Sequence, residues 1–226
     1  MVDVSKIKFD AKKSLYGYRM LYLWQLLLPL IIILFFGAFL IPAILSRILG
    51  GPNVTNDGKL GLIIAPISSW ILTRLIWPLF RAKRILIGKE LLTSNYSDLD
   101  KIKLVKEPLH ILKLICVSLI FTLMVIIGLG LFIVPGIFLL VIFSMANHMM
   151  VENKDISIIA AFKYSYRLTK YYKKDVLIFF LSFIPHFILG FLTLGIYFLF
   201  FYPYFEVAYT NLFIDLKNSG IIYNKV

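Results

Sequence analysis

The sequence predicts an all-α fold: a single membrane domain over residues 1–226, built as a bundle of about six transmembrane helices. The chain has 226 residues, and 60% of them are hydrophobic, whereas soluble domains typically contain roughly 45–50%. The apolar residues are collected in long blocks, and blocks of about 18 or more predict membrane-spanning helices. These blocks do not alternate apolar and polar residues as the strands of a membrane β-barrel do.

Six apolar blocks define the predicted spans. They cover residues 21–45, 60–80, 110–130, 134–151, 176–192 and 196–216. The first block is longer than the roughly 7–15 residues of a signal-peptide core, and no small-residue cleavage site follows it. We therefore expect it to be retained as the first span.

The distribution of lysine and arginine predicts how the spans are oriented. The formal net charge is +12, and the cations concentrate in residues 1–20, 81–113 and 152–175. The alternate loops carry almost none, so the positive-inside rule places both termini in the cytoplasm of a multi-pass cell-membrane protein. In a soluble protein this charge would suggest nucleic-acid binding. Here the topology accounts for it, and no nucleic-acid partner is expected.

Residues 155–174, between the fourth and fifth spans, have the pattern of a basic amphipathic helix, with Asp155 placed to cap its N-terminus. One face carries four cations: Lys163, Arg167, Lys170 and Lys174. Another face carries Ile158, Ile159, Phe162 and Tyr166. This pattern favours a helix in the inner membrane interface, with its cations on anionic lipid head groups. The alternative is a cytoplasmic helix that packs on the bundle and keeps its charges in solvent.

Two further cytoplasmic segments are predicted. Residues 1–20 form a short basic helix that leads into the first span. Its apolar face consists of Val4, Ile7, Ala11, Leu15 and Tyr18. Residues 81–109 continue the second span as a helix, break at "TSNYSD" and restart before the third span.

Glu206 is the most unusual residue of the sixth span, because it lies near the middle of an apolar block. A charged side chain at that depth costs roughly 2.5–3.5 kcal/mol on insertion scales, so such residues are functional hypotheses by default. Pro203, one turn earlier, frees a backbone carbonyl and can bend the helix. One interpretation is a proton or cation site beside this opened backbone. The other is a protonated or ion-paired carboxylate that holds the helices together.

Three other polar side chains within the predicted spans are candidates for a functional role. Arg74 either extends to the membrane surface or pairs with Glu206. His186 follows Pro185, a second predicted kink, and is either a neutral, hydrogen-bonded histidine or part of a proton relay. Asn147 aligns with Glu206 in a weak internal repeat, whose two copies begin with similar Gly-Ile segments in spans four and six.

No catalytic constellation is present. The sequence has no phosphate-binding glycine loop, no metalloprotease motif, no paired-carboxylate motif and no hydrolase triad with supporting glycines. His148 and Glu152 share a helix face, but two ligands do not make a metal site. The single cysteine, Cys116, cannot form an internal disulfide. We therefore expect no enzymatic activity, no metal and no cofactor.

Three segments carry a resemblance to a known family: "FIVPGIFLLVIFSMANHMMVEN", "AAFKYSYRLTKYYKKDVLIFFLSFI" and "LTLGIYFLFFYPYFEVAYTNLFIDL". Their motif residues are Pro135-Gly136, Ala161, Lys163, Ser165, Leu168, Gly195, Pro203-Tyr204, Phe213, Asp215 and Leu216. In these the chain resembles the bacterial "domain of unknown function 975" group, although Phe213-Ile214 stands where that family usually has Phe-Tyr. More distantly, it is similar to the membrane region that precedes the catalytic domain of glycerophosphodiester phosphodiesterases. The resemblance implies a membrane bundle and points toward lipid or envelope functions, without a defined activity.

These features predict a non-enzymatic integral membrane protein of the bacterial cell envelope. It would bind lipid, above all anionic lipid on the cytoplasmic side, or a protein partner or second copy, in membrane stress, antimicrobial-peptide resistance or immunity. The alternative is a small secondary transporter or exporter component in which Glu206, with His186 or Arg74, couples protons or substrate. An intramembrane lipid enzyme is a third hypothesis. The first two differ at one residue: a scaffold should tolerate Glu206→Gln, whereas a proton-coupled carrier should lose transport.

Overall fold

Helices account for nearly all of the described structure. The computed structural model describes residues 2–32, 35, 59–93, 107–193 and 195–223, and within these ranges the chain forms ten α-helices and no strand. They are α1 (Val4–Ser14), α2 (Arg19–Ile32), α3 (Lys59–Leu92), α4 (Pro108–Leu131), α5 (Ile133–Phe143), α6 (Ala146–Glu152), α7 (Ile158–Lys170), α8 (Lys173–Leu181), α9 (Ile184–Leu192) and α10 (Ile196–Tyr223). The predicted all-α fold class is confirmed.

Three helical segments of the described chain are long and apolar enough to cross a membrane. They are Pro108–Gly130, Pro135–Glu152 and Lys173–Leu192, which coincide with the third, fourth and fifth predicted spans. α1 and α2 meet at a bend of 89° and would together make a fourth. The second and sixth predicted spans fall in the longer helices α3 and α10. Six spans, and the cytoplasmic position of both termini, stay predictions.

The predicted helical continuation of the second span is confirmed, because α3 runs without interruption to Leu92. Most of "TSNYSD" and the rest of the loop up to residue 106 lie outside the described residues, as do residues 36–58 after the start of the first span. The continuation matters for function, because it carries Arg81 and Arg84 into the bundle.

The fourth and fifth predicted spans each consist of two helices. A turn at Ser144–Met145 separates α5 from α6, and a turn at Ser182–Phe183 separates α8 from α9. Pro185 occupies the first turn of α9, where its missing N–H breaks no helical hydrogen bond. The predicted kink there is therefore a helix start. Pro203 lies inside α10, which continues through it.

The N-terminal helix α1 packs into the bundle through the apolar stripe predicted from the sequence. Ile7, Ala11 and Leu15 are each at most 4% exposed, and the side chain of Asp3 caps the N-terminus of the helix. The carbonyl of Ile7 accepts a hydrogen bond of 3.3 Å from the side-chain amide of Asn211 in α10. α1 is thus part of the core, and its position relative to the membrane stays a prediction.

Two glycines let α4 and α5 form a tight hairpin. A Cβ atom on Gly128 would lie 2.9 Å from the Cα of Gly136. A Cβ atom on Gly136 would lie 2.6 Å from the backbone nitrogen of Leu129. Small residues at such contacts let membrane helices approach closely. The Pro135-Gly136 pair of the sequence motif therefore marks a site of backbone contact.

Candidate functional site

The carboxylate of Glu206 in α10 forms a buried ion pair with Arg84 in α3. Arg84 Nε donates to Glu206 Oε2 at 2.5 Å, and the two side chains are 0% and 6% exposed. The hydroxyl of Tyr202 donates to Glu206 Oε1 at 3.2 Å, and the Nε of Arg81 lies 4.0 Å from the same oxygen. Of the two interpretations of Glu206, the geometry matches the carboxylate that holds helices together.

The guanidinium of Arg84 is held by several helices. Its Nη1 donates to the backbone carbonyl of Gln25 in α2 at 3.2 Å. Its Cζ lies 4.8 Å from the ring centroid of Trp77 and 5.5 Å from that of Tyr202, within the range of cation–π attraction. Its Nη2 is buried and has no hydrogen-bond partner in the described part of the chain. The ion pair therefore joins α2, α3 and α10 at one point.

Arg74 does not pair with Glu206, so that predicted pairing is wrong. Its Nη1 donates to Thr122 Oγ1 in α4 at 3.1 Å, and its Cζ lies 5.5 Å from the ring centroid of Trp70. Arg84 lies almost three helical turns further along α3. Sequence reasoning missed Arg84 because the residue belongs to a cluster of cations, and no local pattern distinguishes the buried one.

A second carboxylate, Glu152 at the end of α6, also joins α3 and α10. It accepts hydrogen bonds from Lys89 Nζ at 2.8 Å and from Lys217 Nζ at 2.7 Å. Glu152 therefore connects helices, and it is not paired with His148. Within the described ranges, no group of three or more histidine, cysteine or acidic side chains lies close enough to hold a metal ion.

The other polar candidates have their own neighbours. Asn147 Oδ1 accepts a hydrogen bond of 3.0 Å from Ser118 in α4. The ring of His186 lies 5.0 Å from that of Phe201, and its Nδ1 is buried without a hydrogen-bond partner among the described residues. The hydrogen-bonded state expected for His186 is therefore not seen at that nitrogen.

The break between α5 and α6 is capped by side chains from α7. Ala161, Ser165 and Thr169 are each 0% exposed. Ser165 Oγ donates to the carbonyl of Ile142 at 2.8 Å and accepts from the backbone N–H of Met145 at 3.2 Å. Thr169 donates to the carbonyl of Ile142 at 3.0 Å. These bonds satisfy backbone groups that a helix end leaves without intrahelical partners.

This packing agrees with the second alternative considered for α7 in that the helix packs on the bundle while Lys163, Arg167 and Lys170 stay exposed. The fully buried face consists of small residues spaced four apart. Of the larger apolar residues, Ile158 and Phe162 are half-buried against the core, whereas Ile159 is 70% and Tyr166 is 41% exposed. The spacing of Ala161, Ser165 and Thr169 was the sequence signal that could have predicted this face. An interfacial position for α7 stays a prediction.

The bounds of α7 also correct two predicted roles. Its N-cap is Ser157, whose side chain accepts from the backbone N–H of Ala160 at 3.3 Å, so the predicted cap at Asp155 is wrong. The helix ends at Lys170, before a turn at Tyr171 and Tyr172. Lys174 therefore belongs to α8 and does not continue the basic stripe.

A groove of about 980 Å³ runs along α7, and we call it the α7 groove. Its apolar wall includes Ile120, Met124, Phe143 and Met149. Its four cations are Lys163, Arg167, Lys170 and Lys217. Lys217 is paired with Glu152, whereas the other three form no ion pair within the described ranges. Among the residues that the structure describes, no acidic side chain lines the groove, which therefore combines an apolar wall with three unpaired cations.

Aromatic rings accompany two of these cations. The Cζ of Arg167 lies 5.9 Å from the ring centroid of Tyr164, and Lys170 Nζ lies 5.4 Å from that of Tyr171. Tyr164 is 46% and Tyr171 is 74% exposed. Tyrosine beside lysine or arginine is typical of the zone where lipid head groups meet the acyl chains.

Removing the hydroxyl of Ser165 should weaken the packing of α7 against the break between α5 and α6. We expect Ser165→Ala to lower the free energy of unfolding by about 1–3 kcal/mol, because the amide of Met145 is left buried without its acceptor. Ser5→Ala is a matched control, since Ser5 is exposed on α1. Thermal unfolding of both variants in detergent measures the difference. Equal melting temperatures would contradict the capping role.

The comparisons with known proteins add one finding. Residues 109–219 match the family described as "Protein of unknown function (DUF975)". Over this segment the chain is a member of the DUF975 family. No curated protein and no solved structure matches the chain. The distant similarity to glycerophosphodiester phosphodiesterases is not supported by these comparisons.

The DUF975 segment begins at the start of α4 and ends within α10. It therefore contains the α7 groove, the helix break capped by Ser165, and Glu206. Arg84 lies outside it, on α3. Within DUF975, the structure explains two motif residues physically: Ala161 and Ser165 are the small side chains through which α7 contacts the broken helix.

Proposed function

We propose that this protein is a non-enzymatic integral membrane protein that binds the head group of an anionic lipid in the α7 groove. The observation that supports this most strongly is the set of three cations, Lys163, Arg167 and Lys170, around one groove, with no acidic partner in the described part of the chain. Basic side chains with long aliphatic stems suit this task, because the stem packs on apolar surface while the charge reaches the head group.

The groove also has room for part of the acyl chains. Its volume of about 980 Å³ is at the upper end of the roughly 300–1,000 Å³ of small-molecule sites. The wall formed by Ile120, Met124 and Phe143 offers apolar contact. The lipid head group would contact the cations, and its acyl chains would lie along the apolar wall.

The proposal includes the topology predicted from the sequence, with six spans and both termini in the cytoplasm. The positive-inside distribution supports it, since anionic lipid would then be met at the inner leaflet. We propose a role in bacterial membrane stress or antimicrobial-peptide resistance, since cationic peptides are attracted to the same anionic head groups. Binding of a protein partner or a second copy would be compatible with this role.

Native mass spectrometry of the purified protein with phosphatidylglycerol tests the proposal. We expect the variant K163Q/R167Q/K170Q to bind this lipid roughly a hundredfold more weakly than the wild type, since each cation near an anionic surface contributes about 1 kcal/mol. The zwitterionic lipid phosphatidylcholine should bind both proteins alike.

The matched control is K6Q/K13Q/K174Q, which removes the same charge from exposed lysines outside the groove. We expect this control to bind phosphatidylglycerol as the wild type does. An equal loss in both triple variants would mean that net charge, and not the groove, attracts the lipid, and would contradict the proposal.

A further inference from the structure

A second, smaller pocket lies where α1 turns into α2, and we call it the corner pocket. It measures about 260 Å³, is open to the surface, and lies between the α1–α2 corner on one side and α9 and α10 on the other. The polar residues that line it are Lys12, Arg19, His186, Tyr197 and Tyr204. None of them lines the α7 groove.

The charge of the corner pocket is positive and uncompensated. Lys12 lies near the end of α1 and Arg19 begins α2, so the 89° bend between the helices brings both cations to one pocket. The bend passes through Gly17, whose φ of +88° suits glycine and few other residues. Neither cation forms an ion pair within the described ranges, and no acidic residue lines the pocket.

Three side chains that can form hydrogen bonds line the corner pocket: His186, Tyr197 and Tyr204. The Nδ1 of His186 is buried and lacks a hydrogen bond to the described part of the chain. Tyr197 and Tyr204, which also line the pocket, carry hydroxyl groups that can donate hydrogen bonds. A buried polar atom without a partner is uncommon in folded proteins, and it indicates a water or a ligand.

We propose that the corner pocket binds a phosphate group, either free or as a phosphate ester of a lipid head group. Arginine, lysine and hydroxyl donors form strong, charge-assisted hydrogen bonds to phosphate oxygens. The volume of 260 Å³ is too small for a whole lipid and suits a head group. The rim continues into apolar surface, since Phe200 is 68% exposed, and this surface would accommodate acyl chains.

Bound phosphate would connect the α1–α2 corner to α9 and α10. The aromatic wall on that side is well packed, with the Tyr197 and Phe201 rings stacked at 5.9 Å. The ligand would thereby fix the bend between α1 and α2. This site is separate from the α7 groove, because no residue lines both.

The test compares K12Q/R19Q with K6Q/K13Q, two variants that remove equal charge from the same end of the chain. Lys12 and Arg19 line the pocket, whereas Lys6 and Lys13 are exposed elsewhere on α1. Two probes are used: phosphatidylglycerol in native mass spectrometry, and inorganic phosphate in thermal unfolding. All four mutated side chains are exposed, and melting without ligand confirms that both variants fold.

If the ligand is a lipid head group, we expect K12Q/R19Q to lose one bound phosphatidylglycerol. Its affinity for that lipid should be at least tenfold weaker than the affinity of K6Q/K13Q. The α7-groove variant K163Q/R167Q/K170Q should keep this lipid, so failure of one site leaves the other intact. For free phosphate, millimolar phosphate should raise the melting temperature of the wild type and of K6Q/K13Q but not of K12Q/R19Q.

The variant Y197F/Y204F provides a second measurement that keeps all charges. It should weaken the binding of whichever probe the pocket takes, because it removes two hydrogen-bond donors while the charge stays the same. The proposal is overturned if K12Q/R19Q and K6Q/K13Q respond identically to both probes.

Discussion

Replacing Glu206 with alanine should lower the free energy of unfolding by about 3–5 kcal/mol, the cost of leaving one partner of a buried ion pair alone. The partner left behind is Arg84, whose side chain is 0% exposed. Tyr202 loses its acceptor in the same change. Unfolding in bicelles or by graded detergent denaturation measures the loss. The control is Asp10→Ala, because Asp10 lies on α1 and forms no ion pair within the described ranges.

The double variant R84L/E206L should be much more stable than E206A. Apolar side chains of similar volume can replace a buried ion pair with little loss, and sometimes with a gain. A double-mutant cycle through R84L and E206L then isolates the coupling between the two side chains. If E206L alone were as stable as the wild type, the pair would have no role in holding α3 and α10 together.

The ion pair also changes what Glu206→Gln can reveal. The sequence suggested that a scaffold would tolerate this change, but glutamine removes the charge that Arg84 faces at 2.5 Å. We now expect Glu206→Gln to destabilise a scaffold and a carrier alike. The transport hypothesis is better tested with R84Q/E206Q, which removes both charges. Proton flux into proteoliposomes is measured for this variant once it is shown to be folded. A flux equal to that of the wild type would exclude Glu206 as the coupling residue.

Gly136→Ala should destabilise the protein by about 1–3 kcal/mol, the usual cost of overpacking. The added Cβ would lie 2.6 Å from the backbone nitrogen of Leu129. A backbone atom cannot relieve the overlap by changing its rotamer as a side chain can, so α4 and α5 must move apart. The larger consequence is for α7, because α5 ends at the break that Ser165 caps.

Gly130→Ala is the matched control for this prediction. Gly130 lies in the same hairpin, and nothing comes within 4 Å of a Cβ placed on it. Because alanine is the better helix former by up to about 1 kcal/mol, we expect Gly130→Ala to be neutral or stabilising. Melting temperatures of the two variants, measured in one detergent, give the comparison. Similar values for both would show that the hairpin has room to adjust.

Long-range partners could not be predicted from the sequence. Arg84 and Glu206 are separated by 122 positions. Whether Arg74 or Arg84 reaches Glu206 depends on the axial position of α3 relative to α10. The packing of α7 on the bundle could not be predicted for the same reason. Its four-residue spacing of Ala161 and Ser165 was visible, but the break at Ser144–Met145 that it caps was not.

The sequence by itself determined the all-α fold, three of the helical segments that can span a membrane, and the apolar stripe of α1. Each depends on composition and periodicity within one segment, where the effects of neighbouring residues add. Tertiary structure alone decided which cation neutralises Glu206, which face of α7 is buried, and that Lys12 and Arg19 share a pocket with His186. These depend on the relative positions of helices distant in the chain, which are set by packing and by the satisfaction of buried charges.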